Sequence, residues 1–219
     1  MSAKKEEDNV TDFAYKYIKK DIVEGVYKPS EKLLEVQLSK NLNVSRNTIK
    51  KAFFLLQQDN LVDIERNKGA KVKSFSLQDV MNFLEIRSAL EGIIIKSTVK
   101  NINEAVLIEM KHIIKQMEAH SKEGRLQEYS EMNKKFHNLI YKNSTNQEAV
   151  DMVATIKTQL IRFHFRTVLI PGRKEQSLKE HKLIFQSIKN QSPEEAAEHI
   201  QNHILNVSKT ILDNYNFLI

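Results

Sequence analysis

The 219-residue chain has no cysteine and no tryptophan, and only five glycines and three prolines. Without cysteine there is no disulfide and no thiolate metal site, which suits a reducing compartment. So little glycine and proline argues for long helices joined by few turns. No apolar run approaches the roughly 20 residues needed to cross a bilayer, so no membrane partner is expected. The opening MSAKKEEDNV has no apolar signal core, so the expected location is the cytoplasm. What is present describes an ordinary folded chain: 41% apolar and 28% charged residues, long enough for one large or two small domains. Net charge is +6, and it is uneven, because residues 1–75 hold 15 Lys/Arg against 11 Asp/Glu. An excess of cations concentrated on one third of a chain is the footprint of a nucleic-acid partner.

That excess surrounds Leu33 to Phe54, LLEVQLSKNLNVSRNTIKKAFF. Leu34, Leu38 and Leu42 recur at i, i+4, i+8, which predicts a first helix with one buried stripe. Asn43 is suited to the left-handed conformation of a tight turn, and Ser45 to capping a second helix. Arg46, Asn47 and Thr48 then fall on that helix's first turn, where a recognition helix meets base edges and phosphates. Between Val36 and Gln58 the charges are Lys40, Arg46, Lys50 and Lys51, with no carboxylate. Ile49, Ala52, Phe53 and Leu56 make the opposite, buried face. Any helical hairpin can carry cations on its solvated side, but turn, cap and one-signed face together point to DNA.

Taken in order, residues 1–9 are charged and expected to fray. Thr11 is suited to cap a helix burying Phe13 or Ala14, Tyr17 or Ile18, and Ile22, ended by Gly25. After the helical pair, 61–64 and 70–75 read as two strands about a turn at 65–69, decorated by Arg66, Lys68, Lys71 and Lys73. Such a wing suits phosphate or minor-groove contact, or is a solvated hairpin. Ser76 with Asp79 resembles a capping box, and the domain boundary is set there, giving domains 1–75 and 76–219. Beyond it no strand pattern appears. Helices are expected at 77–99, 104–122, 125–142, 147–168, 174–190 and 193–217, separated by Asn101/Asn103, Gly124, 143–146, Pro171-Gly172 and Ser192-Pro193. The expected class is mainly α: an N-terminal winged helix-turn-helix domain plus an all-α bundle of about six helices.

Three histidines stand on separate expected helices. His181 sits mid-stripe among Leu178, Ile184, Phe185 and Ile188; His203 and His137 border their stripes. Each alone is a core or surface histidine by spacing; three converging would make a divalent-metal site. Arg87 projects from an apolar face between Val80, Leu84 and Ile94, with Glu91 one turn away. It is suited to a carboxylate ligand, or to an internal pair with Glu91.

Residues 25–72 resemble the winged helix of the GntR family of bacterial transcription regulators, through Val44-Ser45-Arg46 followed by Lys50 where arginine is usual. Asn43, Thr48 and Lys51 depart from the usual Gly, Pro and Glu. Residues 76–219 resemble the FCD ligand-binding domain of the FadR-type branch, through Glu85-Ile86-Arg87 with Glu91, Asn133 to His137, Glu180-His181 and His203. The resemblance implies a metal (zinc, nickel or manganese) on Asn133, His137, His181 and His203, with Asn133 standing where Asp is typical. It further implies a homodimer reading palindromic double-stranded DNA, with Arg46 and Lys50 at bases or adjacent phosphates and Thr48, Lys51 and the wing on the backbone. A small carboxylate metabolite at the metal and Arg87 would control DNA affinity. Two alternatives stand beside this: a helical domain that only dimerises, and a metal-dependent hydrolase. The hydrolase needs a general base by the metal, and no carboxylate stands out beside those histidines.

Overall fold

The computed structural model describes residues 2–218 except 66 and 67, and of residues 2–8, 162, 164 and 165 the backbone alone. The chain divides into two compact units, Met1–Ser76 and Leu77–Ile219.

The first unit runs α1 (Ser2–Glu24), β1 (Lys32–Leu33), α2 (Glu35–Leu42), α3 (Arg46–Gln58), β2 (Val62–Glu65) and β3 (Gly69–Val72). The helix start expected at Thr11 is corrected, and Met1, part of the stretch expected to fray, lies outside the described residues. Ala3, Lys4, Lys5, Glu6 and Glu7 are strong helix formers, and the helix already runs from Ser2. Its buried stripe is Ala14, Ile18 and Ile22; Phe13 and Tyr17 face outward. α1 packs on α3, and Tyr15 Oη and Lys19 Nζ both reach Asp59 Oδ2, at 2.5 and 2.6 Å, fastening it to the residue that ends α3.

Asn43 is left-handed (φ 52°, ψ 45°), and the Val44 N–H donates to the Ser39 carbonyl at 3.1 Å, closing α2 as its sequence predicts. Ser45 caps α3 by accepting from the Thr48 N–H at 3.0 Å. Of the stripe expected on α2, Leu38 is buried but Leu34 is half exposed, because Leu34 precedes the helix as an N-cap with no side-chain bond. Ile49, Ala52, Phe53 and Leu56 are all at most 1% exposed, and form the core beneath the sheet.

The sheet has a third strand that the two-strand reading lacks. β1 pairs antiparallel with β3 (Leu33↔Ala70), which pairs antiparallel with β2 (Val62↔Val72, Ile64↔Ala70), in the order β1-β3-β2. Gly69 opens β3 at φ +87°, and a Cβ built on it would lie 2.2 Å from the Leu33 carbonyl oxygen. That oxygen belongs to a paired backbone and cannot yield. Gly69→Ala is therefore expected to cost the first unit roughly 2–3 kcal/mol, read as a lower thermal midpoint with the second unit unchanged.

The second unit is all helical among the described residues: α4 (Leu77–Asn101), α5 (Glu104–Lys122), α6 (Leu126–Lys142), α7 (Gln147–Gln159), α8 (Ile161–Arg166), a 3₁₀ turn (Thr167–Leu169), α9 (Arg173–Lys189), α10 (Pro193–Asp213) and α11 (Tyr215–Leu218). Asn103 and Asn146 cap α5 and α7 by accepting from Val106 and Ala149 N–H groups, each at 3.0 Å. Two expected helices are shorter than read. The 147–168 helix breaks at buried Leu160, where no glycine, proline or capping residue warns of it, and the 193–217 helix stops at Asn214. α4 packs on α10, α7 and α6, while α5 packs on α6 and α9. One core joins them, with Ile94, Ile95, Met110, Met117, Tyr129, Phe136, Ile140 and Ile184 at its centre. Thr98 ties α4 to α6 by donating to the Ile140 carbonyl at 2.7 Å. No helix among the described residues is long and apolar enough to cross a membrane.

Candidate DNA-reading face and metal pocket

On α3, Arg46, Asn47 and Lys50 are exposed and Lys51 is half-buried. Thr48 is not on that face: it is 6% exposed, and its hydroxyl lies 2.8 Å from Ser45 Oγ, so it completes the cap. Burying a small β-branched residue there fits the position where the family resemblance expects proline. Lys68 is exposed on the wing, while Arg66 lies outside the described residues. Lys73 is spent on Asn60 and Asp63. A groove of about 460 Å³ runs between α3 and the wing, lined by Arg46, Lys50, Lys68 and the apolar Leu34, Val36 and Phe54. Glu35 lies 3.9 Å from both Arg46 Nη2 and Lys50 Nζ. Sequence reading passed over this carboxylate, although it opens the helix preceding the turn. At that distance and exposure the pairs are worth under about 1 kcal/mol, so they orient the cations without withholding them from a phosphate.

In the helical unit, α6, α9 and α10 bring His137, His181 and His203 together, their ligand atoms all within 4.8 Å of one another. They are 4%, 0% and 4% exposed. Burial, reinforced by the neighbouring imidazoles, holds His137 and His181 well below the usual histidine range. Burial also lowers His203, against the opposing pull of Glu180. All three are therefore neutral, the form that ligates metals. Two of the rings are locked. His181 Nδ1 donates to the Ser177 carbonyl at 2.6 Å, and His203 Nδ1 donates to Glu180 Oε2 at 2.7 Å. Each presents a lone pair rather than an N–H at Nε2, that of His181 facing His137 Nε2, and this is the tautomer set in metal sites by just such outer partners.

Glu180 is the carboxylate that sequence reading failed to see beside the histidines, though it is the residue before His181. It is itself held by Arg173 Nη2 at 3.0 Å and Asn206 Nδ2 at 2.8 Å. Burial alone would raise its pKa, but the bonds from His203 and Arg173 outweigh it and keep Glu180 ionised. It is committed to those three groups and is not placed as a free general base.

The donor set fits a metal ion. The His137 and His181 Nε2 atoms are 3.2 Å apart, close to the spacing of about 3.3 Å that two nitrogens take on tetrahedral zinc. Asn133 Oδ1 and His137 Nδ1 are buried with no hydrogen-bond partner. An orphaned carbonyl one turn before a ligand histidine is costly unless something electropositive faces it.

Beside the histidines lies a second polar cluster. Arg87 is 8% and Glu91 0% exposed, and the Arg87 Nε and Nη2 both reach Glu91 Oε1 at 3.0 Å. The Tyr141 hydroxyl donates to the same oxygen at 2.6 Å, while Glu91 Oε2 has no partner. Burial works against the Arg87 charge, but Glu91 outweighs it and holds the pKa above its ordinary value. Thus Arg87 makes the internal pair that its spacing allowed. Lys157 Nζ stands 4.8 Å over the Tyr141 ring, and burial, then Arg87, pushes its pKa down to about 8. The His164 side chain lies outside those described.

Sequence comparison bears on both units. The profile described as "Bacterial regulatory proteins, gntR family" matches residues 10–72, and that of the FCD domain matches residues 82–206, more than half of the chain. The chain belongs to the GntR family, in the branch that carries an FCD domain. This GntR protein is 29% identical over 193 residues to the uncharacterized HTH-type transcriptional regulator YdhC of Bacillus subtilis, covering 86% of this chain and 85% of that one. It is 23% identical to the HTH-type transcriptional repressor RspR of Escherichia coli, covering 90% and 86%. Among solved structures, Escherichia coli McbR/YncC superposes with a TM-score of 0.76 at 16% identity, over 94% of this chain and 98% of that one, a likeness of fold. The GntR chain is a DNA-binding transcription regulator with an FCD domain, and not an enzyme. The hydrolase alternative is set aside.

Proposed function

We propose that the chain is a cytoplasmic homodimer reading a palindromic operator, its DNA affinity set by a small carboxylate bound at a metal in the FCD domain. The observation that carries this is the trio of buried, neutral imidazoles, two of them locked with the lone pair at Nε2 and the third one helical turn after an orphaned Asn133 carbonyl. His137, His181 and His203, with the Asn133 oxygen, would hold zinc, nickel or manganese. The ion supplies a Lewis-acidic centre on which a carboxylate can be fixed. Because all four donors are uncharged and Arg87 is already paired with Glu91, an arriving anion supplies the charge that offsets the ion. An anion that binds one arrangement of the dimer better than another shifts the population that fits DNA.

On the DNA, Arg46, Asn47 and Lys50 face bases or adjacent phosphates, with Lys51, Lys68 and Arg66 on the backbone. Thr48 serves by holding the cap. Exposed Ile86 and Ile93, seven residues apart on one face of α4, are offered to the dimer contact. The test begins by selecting operator fragments from random DNA and measuring affinity and stoichiometry. Two chains per palindrome are expected. Lys50→Ala should weaken operator binding by roughly 1–3 kcal/mol if Lys50 reads a base; an equal loss on random DNA would reduce it to a phosphate contact. Operator affinity unmoved by carboxylates across a metabolite screen would instead favour a helical unit that only dimerises.

A further inference from the structure

The charges around the pocket do not balance. Arg87 and Glu91 cancel, since the guanidinium spends Nε and Nη2 on the one carboxylate oxygen that also takes the Tyr141 hydroxyl. Lys157 on α7 is left over. It is half-buried, its ammonium faces the Tyr141 ring at 4.8 Å, and it forms no ion pair among the described residues. A ring face returns only part of what an amine loses on leaving water. Its neighbours make matters worse: Arg87 and Lys134 repel it and only Glu91 attracts it, so its pKa falls to about 8. The Tyr141 ring that Lys157 faces stands 6.2 Å from the His137 ring, which brings the ammonium near the histidine cluster. The orphaned Glu91 Oε2 shows that this lysine has not settled on the carboxylate nearest to hand.

The proposed metal ion and Lys157 are thus two separate positive centres on either side of the Tyr141–His137 contact, with Arg87 already neutralised by Glu91. We propose that Lys157, rather than Arg87, holds the effector's second acidic group, and that the effector is accordingly a dianion of the dicarboxylate class, one carboxylate at the metal and the other at Lys157. This rests on the metal and effector reading above and extends it to ligand class. A monocarboxylate satisfies only one of the two centres. A second carboxylate pairs an ammonium that is already partly desolvated in the folded protein, so less is lost on binding than for an exposed lysine.

The experiment is calorimetric titration of zinc-loaded protein, at buffered free zinc, with malonate, succinate and glutarate against acetate and butyrate. Wild type should bind at least one diacid tenfold or more tighter than either monoacid. Lys157→Gln should erase that preference while leaving monoacid affinity within about twofold, which also shows that the variant pocket is intact. Equal affinities for diacids and monoacids in wild type, or a preference that survives Lys157→Gln, would overturn the assignment of Lys157 and leave the effector reading standing. A variant that loses monoacids and diacids alike would mark Lys157 as structural and likewise overturn it. If zinc-loaded wild type binds none of the five acids, the carboxylate-effector reading falls, and this inference with it.

Discussion

A His181→Ala chain purified beside wild type should come away with no stoichiometric metal, where wild type carries one equivalent per chain. His181 is fully buried, and its Nε2 is the better prepared of a pair spaced for one ion, since Nδ1 is held by the Ser177 carbonyl. Sites of three or four protein ligands are worth roughly 10–16 kcal/mol. Removing one of three imidazoles should therefore cost on the order of 4 kcal/mol, about a thousandfold in affinity. Truncation of a buried side chain also leaves a cavity, which lowers stability whether or not a metal binds. The two effects separate cleanly in thermal unfolding with and without added zinc. Zinc should raise the midpoint of wild type by mass action and leave the variant where the chelator leaves it. A variant that keeps one equivalent at unchanged affinity would remove His181 from the site. A wild type that holds no metal and gains no stability from zinc would end the metal reading altogether.

Where the sequence was informative, a local signal sufficed. Ser45, Asn103 and Asn146 each cap a helix because a short polar side chain reaches the N–H three residues on, and that geometry is written in spacing. Asn43 likewise ends α2 through its own left-handed backbone. The failures are of the opposite kind. β1 is two residues long and exists only because β3 runs beside it, and the break at Leu160 carries no stop signal of its own. Leu34 had the right period but the wrong place, one residue before its helix begins, where its side chain has no turn to pack on. Thr48 stood on the exposed side of the helix by count, yet its hydroxyl folds back to Ser45.

The histidines show the same division more sharply. Periodicity placed His181 inside its stripe and left His137 and His203 at edges, but convergence is a property of three helices packed together, and only the family resemblance supplied it. Glu180 and Lys157 escaped for the same reason. A carboxylate beside a histidine in sequence points away from it on a helix, and Glu180 meets His203 only because α9 packs on α10. Lys157 is one cation on a helix of mixed character until Tyr141 and Arg87 are put next to it. Arg87 was correctly seen as buried and in need of a partner. Which partner it took was decided by Glu91 lying one turn away, with no loop entropy to overcome.

Acid should destabilise the metal-free protein steeply, and the window follows from the same three side chains. His137, His181 and His203 all titrate below the ordinary histidine value in the folded state, chiefly because burial disfavours the charged ring. In the unfolded chain they return to about 6.5. Around and below that pH the unfolded state binds protons that the folded state refuses, so stability is at its full value about one unit above pH 6.5 and falls as the pH drops through it. Each imidazole that stays neutral contributes a slope of about 1.4 kcal/mol per pH unit, and three together about 4. His203 should contribute least, because Glu180 at 2.7 Å favours its protonation. The Glu180 carboxylate, held below its usual range, adds its own loss only at lower pH. Denaturant unfolding of chelator-treated protein between pH 7.5 and 5.5 isolates the histidines. The helical unit should lose roughly 3–4 kcal/mol across that range, about three quarters of it below pH 6.5. A stability unchanged over the interval would mean that the rings take up protons without cost in the folded state. The pocket would then be wetter and more open than the burial of these three side chains describes, and a poor place for a neutral three-nitrogen ligand set.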